Sequence, residues 1–103
     1  MLLRQGDILI QKVEEIPKGA QALKGLIVAA GSATGHRHRI KERKSARTYS
    51  VGNSAKQELF LEVTADEATL VHPEHGSIAL AKGVYRIWRQ REYTEWGDRY
   101  VID

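Results

Sequence analysis

Apolar and polar residues alternate along this chain over short stretches and nowhere sustain a 3.6-residue period. The clearest alternation sets Leu59, Leu61 and Val63 against Phe60, Glu62 and Thr64. Successive strand side chains leave opposite faces, so this predicts a strand with Leu59, Leu61 and Val63 inward. A Gly6-Asp7 turn followed by Ile8, Leu9, Ile10 and Val13 predicts another. The apolar run 25–31, bounded by glycines, is short enough for a buried strand. In residues 36–40, His36, His38 and Ile40 share one parity, with Arg37 and Arg39 on the other. An exposed loop or charged hairpin tip is expected over 41–46, mobile near Glu42 to Ser45, with 47–51 as the returning strand. Residues 68–71 and 77–80 flank His72-Pro73-Glu74-His75-Gly76, a hairpin signal in which Pro73 suits the second position of a type I turn. Weak alternation over 84–93 predicts a bulge or a strand that changes sheets, and 100–102 a closing strand. Turns are expected at 14–19, 32–35, 52–54, 65–67, 81–83 and 96–99, and one helical turn at 20–23. The sum is an all-β barrel or sandwich of about eight or nine short strands, forming one domain over residues 1–103. Its expected core is Leu59, Leu61, Val63, Leu70, Ile78 and Ile87.

Composition narrows the chemistry. Aromatic residues are only 7% of the chain, so the core leans on aliphatic side chains. Cysteine is absent, which removes disulfides and thiolate metal sites; a transition metal would be held by His, Asp or Glu. No basic-then-apolar leader and no run of about 18 apolar residues is present, so a cytoplasmic protein without membrane contact is expected. The net charge of +3 is unevenly spread: Arg37, Arg39, Lys41, Arg43, Lys44 and Arg47 face Glu42 alone in that segment.

The four histidines fall in two tight pairs. His36 and His38, two apart on a strand, leave the same face about 6–7 Å apart at the backbone, close enough to share an ion. His72 and His75 are brought within about 7 Å by a β-turn. Singly, each pair is as well explained by a solvated strand or by histidine's tolerance of turns; together they point to one shared pocket holding His36, His38, His72 and part of the His72–His75 turn. Glu42, Glu62 and Glu74 are candidate orienting acceptors or ligands. Such donors suit zinc, iron, manganese, nickel or copper alike.

Gly35-His36-x-His38 followed by Glu42 resembles the first metal motif of the cupins, His-x-His-x(3,4)-Glu. The resemblance implies a small metal-binding β-barrel with His36, His38 and Glu42 among the ligands, and allows a metalloenzyme. The glycine that opens the cupin motif would fall at Ala30, one place from Gly31. The second cupin motif, Pro-x-Gly-x-x-His, is nearest at residues 81–86, where Arg86 stands in the metal-binding place, so His72 or His75 would have to substitute. The chain also resembles small uncharacterised bacterial and phage proteins carrying Gly-His-x-His, His-x-x-His-Gly-x-Ile and Gly-x-Tyr-Arg-x-x-x-Gln-Arg-Glu-Tyr, matched here at 35–38, 72–78 and 83–93.

A competing function is a nucleic-acid-binding module, or an accessory subunit of a larger nucleic-acid or phage assembly. Arg37, Arg39, Lys41, Arg43, Lys44 and Arg47 would grip phosphates. Arg86, Arg89 and Arg91, interleaved with Tyr85, Trp88 and Tyr93, would form a single-strand platform. The plainer alternative leaves the charges solvated and the rings in the core. A third possibility is a structural protein that assembles as a homo-oligomer. No catalytic serine motif, thiol nucleophile or phosphate-binding glycine loop is present.

Overall fold

The computed structural model describes residues 2–30, 37–52, 58–89, 91–94 and 97–100. Among them are ten strands and no helix: β1 (Leu2–Gln5), β2 (Ile8–Val13), β3 (Gln21–Ala22), β4 (Ile27–Ala30), β5 (Arg37–Ile40), β6 (Ala46–Val51), β7 (Glu58–Val71), β8 (Ile78–Arg89), β9 (Arg91–Thr94) and β10 (Gly97–Tyr100). The all-β expectation holds. Eight strands form one antiparallel sheet along β1-β2-β8-β7-β5-β4, with β6 on β7 and β3 on β6; β9 and β10 form a separate hairpin.

The sheet is organised by one long hairpin, β7–β8. Straight, a strand of β8's length spans roughly 35 Å. Yet both ends of the hairpin meet the same β1–β2 turn. Gln5 donates to the carbonyls of Leu70 and Gly76 at one end, and Asp7 lies 3.7 Å from Arg89 at the other. The hairpin therefore doubles over. The bend sits where the register shifts between Val63 and Glu67, opposite Gly83, whose φ of 148° is open to glycine and strained for other residues. It also changes which parity faces inward. On β7 the positions in the core cluster are Leu61 and Val63 before the bend, Ala68 and Leu70 after it, with Phe60 buried outside that cluster; on β8 they are Leu80 before, Tyr85 and Ile87 after.

This corrects three expectations. Residues 65–67 and 81–83 are not turns but the two sides of the bend; the change of sheet expected over 84–93 is present, since β8 ends in the main sheet at Arg89 and β9 belongs to the separate hairpin. Of the two forms expected for 41–46, the link is the exposed loop and not a hairpin tip. β5 and β6 never pair with each other; they lie end to end along β7, β5 opposite Val71 and Leu70, β6 opposite residues 58–63. Their link is tied down rather than loose: Lys41 N–H donates to Thr69 O, both Glu42 oxygens accept from Thr69, and Ser45 O accepts from Thr64 and Ala65 N–H. The expected helical turn at 20–23 is the short strand β3, paired to Tyr49 and Ser50.

The two halves of the folded sheet enclose the core. Leu61, Val63, Leu70 and Ile87 are buried, and Leu59 and Ile78 pack against them partly exposed. The core also takes in Ile8, Ile10, Val28, Ile40, Leu80 and Tyr85. Each large aliphatic side chain contributes about 1.5–3 kcal/mol by leaving water. Tyr85 hides its ring and donates its hydroxyl to Ala81 O at 2.6 Å; burial pushes that hydroxyl's pKa up.

Candidate functional site

The doubled hairpin brings three pieces of chain to one mouth of the roll. β5 supplies His38, two residues before the core residue Ile40 on the same face, with Arg37 and Arg39 outward as the parity predicts. Arg39 pairs with Val71 and Ile40 with Leu70, so continuing that register sets His38 opposite His72. Their ring centroids are 4.3 Å apart. His75, from the β7–β8 loop, lies 4.5 Å from the His72 ring and 6.2 Å from His38, nearly parallel to it. Histidines from the two sequence pairs thus meet. His36 lies outside the described residues.

Beneath the rings is a polar layer that the sequence pattern did not single out. Gly6 and Asp7 make the two-residue loop between β1 and β2, with Gly6 at φ 56° in the first loop position, as a II′ turn requires. The loop aims Gln5 and Asp7 into the mouth, where they are 3% and 1% exposed. Gln5 Nε2 donates to Leu70 O (3.0 Å) and Gly76 O (2.8 Å), which fixes its amide orientation. Gln5 Oε1 is then an acceptor, and His38 Nδ1–H donates to it at 2.9 Å. On its other side His38 Nε2 shares a proton with Asp7 Oδ1, also at 2.9 Å. Arg89 Nε stands 3.7 Å from the second Asp7 oxygen. The buried carboxylate is thus flanked by an imidazole and a guanidinium, which offsets the cost of removing it from water. His72 Nδ1 accepts from Glu74 N–H at 3.0 Å, so neutral His72 carries its proton on Nε2.

The other candidate residues lie elsewhere. Glu42 is exposed, its carboxylate engaged by the Thr69 amide (2.8 Å) and hydroxyl (2.6 Å); these hydrogen bonds hold it below the usual carboxylate pKa range. Glu62 accepts from the Tyr49 hydroxyl. Arg86 pairs with Glu58 and lies 4.7 Å over the Trp88 ring. Arg89 turns inward to Asp7 and Tyr85 is in the core, so neither belongs to an outward stacking platform. Arg91 is in β9, and its side chain, like that of Tyr93, is outside the description. Arg37, Arg39, Lys41, Arg43, Lys44 and Arg47 are all exposed. Among the described residues no group of three or more His, Asp or Glu side chains is arranged to hold an ion, and no helix is long and apolar enough to cross a membrane.

Gln5 and Asp7 were missed because nothing local marks them. A Gly-Asp turn before a strand ordinarily faces water, and only the doubling of a hairpin some sixty residues downstream encloses this one.

No curated protein and no solved structure matches the chain. A family match begins one residue before Gln5 and ends one residue after Arg89, enclosing every residue of the mouth. Through this match, over residues 4–90, the chain belongs to the family described as Domain of unknown function (DUF8820).

Proposed function

We propose that the mouth of the roll is a binding centre for a divalent transition metal, with His36, His72 and His75 as imidazole donors and His38 as a positioning residue. The observation that carries this is the convergence of His38, His72 and His75, from β5 and the β7–β8 loop, at centroid separations of 4.3–6.2 Å over a buried carboxylate. Stability alone does not account for it. Burying Gln5, Asp7, His38 and His72 costs desolvation that aliphatic side chains would not incur, and a buried cluster of ionisable groups is a physical mark of a functional site.

The roles divide by hydrogen bonding. Both His38 nitrogens are engaged, by Gln5 and Asp7. His38 therefore packs behind the ligands and braces His72. Three imidazole ligands require His36, which the His-x-His spacing of the sequence pairs with His38. Imidazoles without thiolates suit zinc, copper, iron or nickel better than manganese. Capture by His72 gives up the Glu74 contact whichever nitrogen binds. An ion at Nε2 moves the ring proton to Nδ1, and an ion at Nδ1 displaces the Glu74 N–H directly.

The test is elemental analysis of untagged protein, followed by zinc titration of variants checked for folding by circular dichroism. Stoichiometric ion in the wild type, its loss in His72→Ala and His75→Ala, and a resonance shift of the Glu74 amide on loading are expected. His38→Asn should keep the stoichiometry and weaken affinity about 10–100-fold, as substitutions behind metal ligands do. Failure of folded protein to take up zinc, copper, nickel or iron at neutral pH overturns the proposal.

A further inference from the structure

The basic segment acquires a shape that its sequence does not show. Had residues 41–46 tipped a hairpin, its six cations would crowd one loop. Instead β5 and β6 run end to end along β7 and turn the corner of the doubled sheet together. Arg37 and Arg39 stand on the outer side of β5 and Arg47 on the outer side of β6, while Lys41, Arg43 and Lys44 occupy the link at the corner, all exposed. The cations therefore form a stripe over a convex ridge. Across β7 it reaches from Val71 to Glu62, roughly 30 Å if straight and less over the bend. Among the described residues none of the six lies in an ion pair; the pairs present involve His38, Arg86 and Arg89. The one carboxylate within the segment, Glu42, is turned back onto Thr69. The link is hydrogen-bonded to β7, so its charges are presented on a fixed frame.

We propose that this ridge binds double-stranded DNA through its phosphates. Charge complementarity selects a polyanion. Convexity selects a grooved one, since single strands are held in channels lined with rings on which bases stack. Among the described rings, Tyr85 is in the core, Tyr49 is hydrogen-bonded to Glu62, and Trp88 lies under the Arg86 guanidinium on β8, two strands from β6. The major groove of B-form DNA, about 12 Å wide, is open to side chains projecting from such a ridge; that of an RNA duplex is too narrow for them. The ridge is separate from the histidine mouth, which uses the opposite, inward faces of the same strands.

The test is fluorescence anisotropy with a labelled 20-base-pair DNA duplex, beside the same sequence as a single strand, an RNA duplex, and vesicles containing anionic lipid. The duplex should bind best, and six neutralised phosphates give a log–log salt slope near −5, about a 10³-fold loss of affinity between 50 and 200 mM salt. Arg39→Gln/Arg43→Gln/Arg47→Gln should lower the slope by about 3 with an unchanged circular dichroism spectrum. His72→Ala should bind as the wild type does, which separates this ridge from the metal centre. No duplex binding at 50 mM salt, an undiminished slope in the triple variant, or tighter binding to single strands, duplex RNA or vesicles each overturns it.

Discussion

Gln5→Ala removes the brace of the mouth, and its cost can be worked from the hydrogen bonds. The amide makes three: to Leu70 O at 3.0 Å, to Gly76 O at 2.8 Å, and from His38 Nδ1–H at 2.9 Å. Gly76 is exposed, so its carbonyl can turn to water. Leu70 and His38, at 0% and 1% exposure, cannot. A buried polar group stripped of its partner costs about 1–3 kcal/mol. Two such groups, with Leu70 O less demanding because a carbonyl tolerates partial satisfaction, make about 3 kcal/mol. For a domain near 100 residues that lowers the melting temperature by roughly 12–24 °C. Gln5→Glu should not rescue it: the carboxylate still accepts from His38 but turns an oxygen toward two carbonyls. Urea unfolding followed by circular dichroism measures both variants. A loss below about 0.5 kcal/mol for Gln5→Ala, the range of ordinary surface substitutions, would refute the brace.

Leu61→Ala, at a fully buried position between β6 and β8, should cost about 2–5 kcal/mol by urea unfolding; a cost typical of surface sites would reject the register of β7. Gly83→Ala should cost about 1–3 kcal/mol, because φ near 148° strains any side chain-bearing residue. A Cβ there would also meet Lys12 Cε at 2.9 Å, but that is the end of a flexible side chain; recovery of stability in Gly83→Ala/Lys12→Ala would show the contact, not the backbone, to be at fault. Glu42 is held at a lowered pKa chiefly by the Thr69 hydroxyl and then by its amide. Its contribution is therefore present above the unfolded pKa, about 4.3, and lost as pH falls through the lower folded value. Glu42→Gln should flatten that part of the acid limb of a stability–pH curve, and an unchanged limb would remove the link between Glu42 and Thr69.

Alternation sufficed wherever a strand presents one face to the core. Leu59, Leu61 and Val63 and the pair His38 and Ile40 face inward because side chains alternate and that face packs on the core; Phe60, of the other parity, is buried too, but outside the core cluster. The loop holding His72 and His75 was legible from Pro73 and Gly76, flanked by apolar runs. Residues 65–67 and 81–83 carry the same polar and glycine signals as true turns. Nothing local distinguishes a turn from a bend in a paired hairpin; which one forms depends on whether a neighbouring strand continues the ladder on both sides. The same limit misplaced β5 and β6, since either pairing, with each other or in series along β7, satisfies their patterns equally.

What the sequence by itself determined is the class of the fold, the inward parity of each well-patterned strand, the restriction of any metal site to imidazole and carboxylate, and the histidine pairs as its candidate donors. These follow from side-chain periodicity and residue chemistry, which are local. Only the tertiary structure decided that histidines of the two pairs meet, that Gln5 and Asp7 lie beneath them, that Arg89 faces in while Arg39 faces out, and that the cations follow a ridge. The physical reason is the bend at Val63–Glu67 and Gly83. It doubles the β7–β8 hairpin, reverses the inward parity of both strands, and so sets which residues, distant in the chain, share a mouth and which share an outer edge.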